Sequence, residues 1–357
     1  MVERKRPKPL LYIVLISLVG VLLLVIGGTL IYLQGPVDRK SDTSIKVEIP
    51  QGTSTRKIWT ILKEKKLIKS ELYFSIYTKL HSKKALKAAT YEFRKNMSLK
   101  EIIKLMEDGK AVDPEALVLT FHEGKRITDY AETIAKHTAY SKEEILEEIN
   151  EEEYLKELIS KYWFLTDDIL DDDIYYPLEG YLAPDTYFFE KDVDIKIIIE
   201  TLLKEEESNL EKYKDLLLKS NIHDIVTMAS ITELEGKKLE DRKNIVGVFN
   251  NRMSIHMHLG SDVTTYYAFQ KPMTEKLSSK EFNTPNPYNT RPTNKDGLPI
   301  GPICNPSMDS IEAAIFPVDN EYLYFVASKK GVVYFSKSSA EQDRVIQDLK
   351  SKGEWQW

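Results

Sequence analysis

Residues 10–33 read LLYIVLISLVGVLLLVIGGTLIYL, a stretch without a single charged side chain. At roughly 1.5 Å per residue, about 24 helical residues measure about 36 Å, enough to cross a hydrocarbon core of about 30 Å with some tilt. Arg4, Lys5, Arg6 and Lys8 stand just before it, and such a basic flank stays on the cytoplasmic side. The expected order is a basic cytoplasmic tail (1–9), a transmembrane helix (10–33), a polar linker (34–43) and an extracytoplasmic remainder at the cell membrane. A cleaved signal peptide has a shorter apolar region, and QGPVDRK at 34–40 offers no small-x-small cleavage site.

The remainder has the composition of a packed protein. The 357 residues are 42% hydrophobic and 30% charged, with one cysteine. That lone thiol, Cys304, excludes an intramolecular disulfide framework and a Cys-rich zinc module, and it reads as a buried small hydrophobe. A net charge of −6 argues against nucleic-acid binding through broad phosphate neutralisation. No P-loop, dinucleotide fingerprint or G-x-S-x-G is present. His256 and His258 form an H-x-H pair with no third ligand identifiable nearby, so no metal site is expected. The Asp-rich run 167–173 lacks the glycine of an EF-hand loop and reads as an exposed acidic loop.

Three stretches align without gaps: VEIPQGTSTRKIWTIL (47–62), YEFRKNMSLKEIIKLM (91–106) and LTFHEGKRITDYAETI (119–134). Each starts as an alternating strand and turns at a residue tolerant of positive φ: Gly52, Asn96, Gly124. Each then enters a helix with apolar residues at matching places, Ile58, Ile102 and Tyr130, then Leu62, Met106 and Ile134. Ser54 and Ser98 are placed as caps, and only the second, with Glu101, completes a capping box. The expected fold class is α+β: a small N-terminal module over 44–111 and a larger mixed domain over 112–357.

Residues 221–236, NIHDIVTMASITELEG, read as a helix closed by Gly236, with Ile222, Ile225, Val226 and Ala229 as its apolar stripe. Glu233 falls on that stripe, whereas Glu235 lies about 200° around the helix from it. A carboxyl at the end of an apolar face loses hydration when ionised, which raises its pKa and suits a general acid. Spacing alone favours a plainer alternative, an ion pair with Arg242 or Arg252 on the next helix. Downstream, NTPNPYNTRPTNKDGLPIGPICNPS (283–307) is dense in Pro, Asn and turn residues of the kind that line a groove for a hydroxyl-rich polymer.

Taken together, EGYLAPDTYFF (179–189), ASITELEG (229–236), NNRMSIHMHLGSDVTTYYA (250–268), PYNTR (287–291) and GLPIGPICNPS (297–307) resemble the ordered motifs of the endolytic murein transglycosylase, or YceG-like, family. Val263 stands where that pattern has Pro. The resemblance implies a LysM-like module before a catalytic domain, and a lytic transglycosylase acting on peptidoglycan glycan strands. It places Glu233 as the acid and then base that forms 1,6-anhydromuramyl ends, with no cofactor or metal. It makes Asp262, Tyr288 and Asn289, and more remotely Glu179 and Asp185, candidates for holding sugar rings or orienting the acid. Such an enzyme, tethered near emerging strands, would trim or terminate them beside penicillin-binding proteins. The competing readings are a hydrolytic muramidase using Asp262 or Glu235 as second carboxylate, and a non-catalytic wall-binding or division scaffold.

Overall fold

A computed structural model of the chain describes residues 9–41, 43–50, 52–81, 86, 89–108, 117–292 and 296–355. The contacts divide it into two compact units, Met1–Val118 with Thr186–Lys191, and Leu119–Asp185 with Asp192–Trp357. The expected boundary near 111 lies outside the described residues, and the smaller unit also takes in a short later segment.

In the smaller unit, α1 (Pro9–Gln34) is one helix of 26 residues. Its side chains are described at Leu18 and from Gly20 onward, and within that part alone no helix among the described residues is long and apolar enough to cross a membrane. There follow β1 (Ser44–Ile49), α2 (Thr55–Glu64), α3 (Glu71–His81), β2 (Ala89–Arg94) and α4 (Leu99–Asp108). β1 and β2 pair antiparallel with Val47 opposite Tyr91 and Ile49 opposite Ala89. The alternation of both strands puts Val47, Ile49, Tyr91 and Phe93 on one covered face, where Ile58, Leu62, Ile102 and Met106 pack from the helices. Ser54 Oγ accepts the Lys57 N–H at 3.1 Å, capping α2. At α4 the box is complete: Glu101 Oε2 accepts the Ser98 N–H at 2.8 Å, and Ser98 Oγ accepts the Glu101 N–H.

The third aligned stretch opens the larger unit with the same local grammar. β3 (Leu117–Thr120) leads through Gly124, whose φ of +71° matches that of Gly52, into α5 (Ile127–Ala135) with Tyr130 and Ile134 buried. β3 spans the division between the units, and the strand it pairs with, β4 (Thr186–Phe189), is the later segment of the smaller unit. Between them the acidic segment forms α6 (Lys142–Ile149) and α7 (Glu152–Lys161), each burying one apolar edge and presenting its glutamates outward. α8 (Ile195–Leu210) and the short α9 (Lys214–Leu217) lead to α10 (Ile222–Glu235), α11 (Leu239–Ser254), α12 (Asp262–Ala268), α13 (Ser279–Asn283) and α14 (Met308–Ile315). The antiparallel hairpin β5 (Tyr324–Ala327) and β6 (Val333–Ser336), then α15 (Ser339–Ser351), complete the unit.

α10 is the central helix. Asn221 caps it by accepting the Asp224 N–H, and Val226 through Thr232 are buried without interruption. The expected single stripe is therefore too narrow: α11, α12 and α14 all pack on this helix, and small residues such as Ala229 and Ser230 allow the close approach. Met228 and Ile231 join Ile245, Phe249, Val263, Tyr267, Tyr288 and Ile303 in one core. Both glutamates sit at the C-terminal end of α10, where Leu234 between them still packs on this core.

Candidate active site

Gly236 ends α10 by close approach rather than by positive φ. Its backbone is extended, and a Cβ there would meet Arg242 Cγ at 2.9 Å. The absent side chain lets Arg242, on the first turns of α11, lie across the helix end and donate from Nε to the Gly236 carbonyl at 2.9 Å. From there Nη1 donates to Ser307 Oγ at 2.8 Å and Nη2 to Glu233 Oε1 at 2.8 Å. The second Glu233 oxygen accepts the Ser307 N–H at 3.0 Å, the Ser307 hydroxyl at 2.5 Å and the Ser310 hydroxyl at 2.7 Å. Both side chains of the ion pair are 8% exposed. Glu233 thus carries a guanidinium on one oxygen and three donors on the other, its hydrogen-bonding capacity filled by protein groups. The ion pair with Arg242 that spacing alone favoured is the arrangement the structure adopts for Glu233.

Glu235 occupies different surroundings. Its Oε1 accepts the Ser261 hydroxyl at 2.6 Å. Burial raises its pKa; the Ser261 hydroxyl lowers it, the neighbouring Asp262 charge raises it further, and Arg252 and Arg291 draw it down. The balance is upward, the direction a general acid requires.

The loop that brings Ser261 here is set by Gly260, at φ +63°, whose N–H donates to the Thr290 carbonyl at 2.9 Å. Ser261 then begins α12, and Val263 sits in its first turn, a place where Pro is equally tolerated, so the departure from the family pattern leaves the loop path intact. Arg252 fixes the same loop by donating from Nη1 to the Leu259 carbonyl and from Nε to the Leu323 carbonyl. Arg291 donates to the Gly260 carbonyl at 3.1 Å, lies over the Phe282 ring at 4.8 Å and pairs with Asp262 at 3.3 Å. The result is a cluster of Glu235, Ser261, Asp262, Arg252 and Arg291, the last of which the sequence did not single out.

Of the other expected residues, Asp262 stands beside Glu235 with its side chain 54% exposed, accessible to a ligand. Tyr288 and Asn289 do not. Both are fully buried. The Tyr288 hydroxyl accepts the Tyr175 N–H, and its ring packs against Tyr175 and Tyr267 at 4.7 Å. Asn289 accepts from Thr265 and donates to the carbonyls of Glu281 and Thr284, closing the loop around α13. Their expected sugar contacts give way to a framework role beneath the Ser261 loop.

Glu179 is also buried, at 1% exposure. It accepts the Ile127 N–H at 2.9 Å, the first free donor of α5, and the Tyr267 hydroxyl at 3.1 Å. Burial pushes its carboxyl up to about 8, against the pull of those donors and Arg126. Asp185 holds the Phe121 N–H through its carbonyl at 2.9 Å. Asn305 ties the same region together, accepting the Gly180 and Leu182 N–H groups. Cys304 is buried, its thiol on the Ser230 carbonyl at 3.3 Å. His256 is exposed and pairs with Asp296, and among the described residues no cluster has the makings of a metal site.

A buried helix that presents two glutamates at its end, one filled with donors and one accepting the Ser261 hydroxyl, beside a loop carrying an accessible aspartate, forms the candidate site. The YceG-like family profile matches residues 47–348, and the chain belongs to that family. The chain is 35% identical over 339 residues to the endolytic murein transglycosylase of Bacillus subtilis (strain 168), covering 93% of each. It is 33% identical over 336 residues to the protein of that name from Streptococcus pneumoniae (strain D39), covering 89% of this chain and 60% of that one. Among solved structures, a yceG-like protein from Listeria monocytogenes at 2.6 Å resolution matches with a TM-score of 0.60 and 38% identity, over 85% of this chain and 99% of that one.

Proposed function

We propose that this chain is a membrane-anchored endolytic murein transglycosylase whose general acid is Glu235, with Glu233 as the residue that holds the end of α10 in place. The activity is supported by the near-complete overlap with the Bacillus relative of that name. The observation that carries the assignment of the acid is the contrast of partners: four donors saturate Glu233, while Glu235 has the Ser261 hydroxyl and a raised pKa.

The chemistry needs one carboxyl used twice. Neutral Glu235 donates its proton to the oxygen linking N-acetylmuramic acid to N-acetylglucosamine, and the bond to C1 breaks as an oxocarbenium-like centre develops. The resulting carboxylate then takes the proton of the muramyl 6-hydroxyl as that oxygen attacks C1. The strand ends in a 1,6-anhydro ring, and no water is consumed. Ser261 steadies the carboxylate form between the two steps, and Arg252 and Arg291 favour it electrostatically. Asp262 lies within reach of a bound sugar hydroxyl.

Residues 10–33 support an anchor that leaves residues after 34 outside the cytoplasm, and the β1–α2–α3–β2 order with its antiparallel pair supports the LysM-like reading of the small module. Tethering confines cleavage to glycan near the membrane, where strands emerge beside the synthesis machinery. Mass spectrometry of purified glycan strands after digestion tests the reaction. Anhydro ends support it; ends heavier by one water would assign a hydrolytic muramidase, with Asp262 as the natural second carboxylate.

A further inference from the structure

Helix α3 has two apolar faces, and the fold uses one. Phe74 and Thr78 are buried in the core of the small unit. On the opposite side Leu72, Ile76 and Leu80, spaced by four, are 72%, 46% and 73% exposed. Isolated exposed leucines are ordinary; three apolar side chains in line along one helix edge form a continuous apolar strip of the kind that marks an interaction surface.

The neighbours of this stripe identify the occupant. Where α3 begins, it is clamped to the end of α1. Lys69 Nζ donates to the Tyr32 carbonyl at 2.6 Å and stands over the Tyr32 ring at 3.9 Å, and Gln34 Nε2 donates to the Tyr73 hydroxyl at 2.8 Å. Leu72 is thus next in sequence to a residue that touches the last residue of α1. The segment entering α3 carries Lys63, Lys65, Lys66 and Lys69, and α3 itself carries Lys79. Lys83, Lys84 and Lys87 follow in the sequence, outside the described residues. An apolar stripe flanked by lysines, tied to the exit of an uncharged helix and to a tyrosine at that exit, has the make-up of an interfacial helix.

We infer that α3 lies in the outer boundary of the bilayer that α1 crosses, with Leu72, Ile76 and Leu80 among the acyl chains and Lys79 and the lysines of the segment before the helix on anionic phospholipid headgroups. This rests on the anchor reading of residues 10–33. The small module is then a foot on the membrane as well as a link to it, and its height above the surface is set by two contacts instead of one.

The test uses the full chain reconstituted in vesicles of phosphatidylcholine with phosphatidylglycerol. Ile76→Cys and Leu80→Cys are labelled with an environment-sensitive fluorophore, the buried Cys304 being inaccessible, and exposed Lys57→Cys on α2 serves as the aqueous reference. At positions 76 and 80 we expect a blue-shifted emission and loss of more than half of it to spin-labelled lipid, with a weaker effect in pure phosphatidylcholine. Emission at 76 and 80 as water-like as at 57, in chain that resists carbonate extraction, overturns the inference while leaving the anchor standing. Shielding without lipid quenching, with Leu80→Cys forming disulfide-linked dimers, overturns it in favour of a second copy as occupant. Chain released by carbonate defeats the anchor reading and this inference together.

Discussion

Glu233 and Glu235 are two residues apart at the end of α10, yet one carboxylate is paired with Arg242 at 2.8 Å and the other accepts a single hydroxyl, that of Ser261, at 2.6 Å. The helix makes this separation unavoidable, because two positions along it turn about 200°. One side of the helix end then faces α11 and the first turn of α14, and the other faces the loop before α12. The chemical difference between the two carboxyls follows from which side each was given.

The ion pair makes a stability claim. Removing one partner leaves a buried, unpaired charge, which costs about 3–5 kcal/mol. Arg242→Met is expected to lower thermal and denaturant stability by that amount, and Glu233→Leu to act in the same direction. The double variant is expected to recover a good part of the loss, since an apolar pair of similar volume replaces both charges. A denaturant titration of the two single variants and the double variant measures the coupling.

Ser261 bears on the pH profile. Its hydroxyl favours the ionised form of Glu235, so removing it raises the carboxyl pKa further. A general acid must be protonated to act, and the alkaline limb of kcat reports where it loses that proton. Ser261→Ala is expected to move this limb to higher pH and to cost about 1 kcal/mol of stability. Cleavage of purified strands across a pH series checks the direction; an unmoved or acid-shifted limb contradicts it.

Glu179 makes a separate prediction about pH and folding. Its carboxyl is raised to about 8 in the folded chain, above the usual carboxylate range of the unfolded one. Between those two values the folded state holds a proton that the unfolded state has released, so stability falls as pH rises through that window. The full contribution is present below the unfolded value and is lost by about pH 8, a change on the order of a few kcal/mol. Glu179→Gln, which keeps an acceptor for the Ile127 N–H and cannot ionise, is expected to flatten this slope. Thermal unfolding of both chains from pH 5 to about 9 reads it directly.

Much of the local structure was legible in the sequence, because local structure is written in local spacing. The three strand-turn-helix stretches, the Ser54 cap and the Ser98 box were readable from alternation, turn residues and Ser-x-x-Glu, and Ile58, Ile102, Tyr130 and their partners are buried as aligned. The different directions of Glu233 and Glu235 were readable too. A guanidinium on Glu233 was readable as an alternative, with Arg242 or Arg252 as donor; the hydroxyls that complete the two sites were not, since they arrive from residues 261, 307 and 310, far away in the chain. A stripe also gives no hint that a helix is covered on every side, as α10 is. Tyr288 and Asn289 looked like groove residues because Pro- and Asn-rich loops line grooves; here the same chemistry closes a loop on itself, with Asn289 replacing water for three backbone and side-chain groups. Arg252 was legible only as a possible ion-pair partner, and Arg291 not at all, because both act through carbonyls of the 259–260 turn and a lone arginine in a sequence carries no sign of that.

The most direct measurement compares Glu235→Gln with Glu233→Gln on purified glycan strands, following release of anhydro-ended fragments by mass spectrometry, with unfolding curves to confirm that both variants fold. Loss of cleavage by about 10²–10⁴-fold in Glu235→Gln, the range set by removing a general acid, with measurable turnover retained in Glu233→Gln, is the expected result. Full turnover by folded Glu235→Gln, with cleavage abolished in folded Glu233→Gln, would contradict the account.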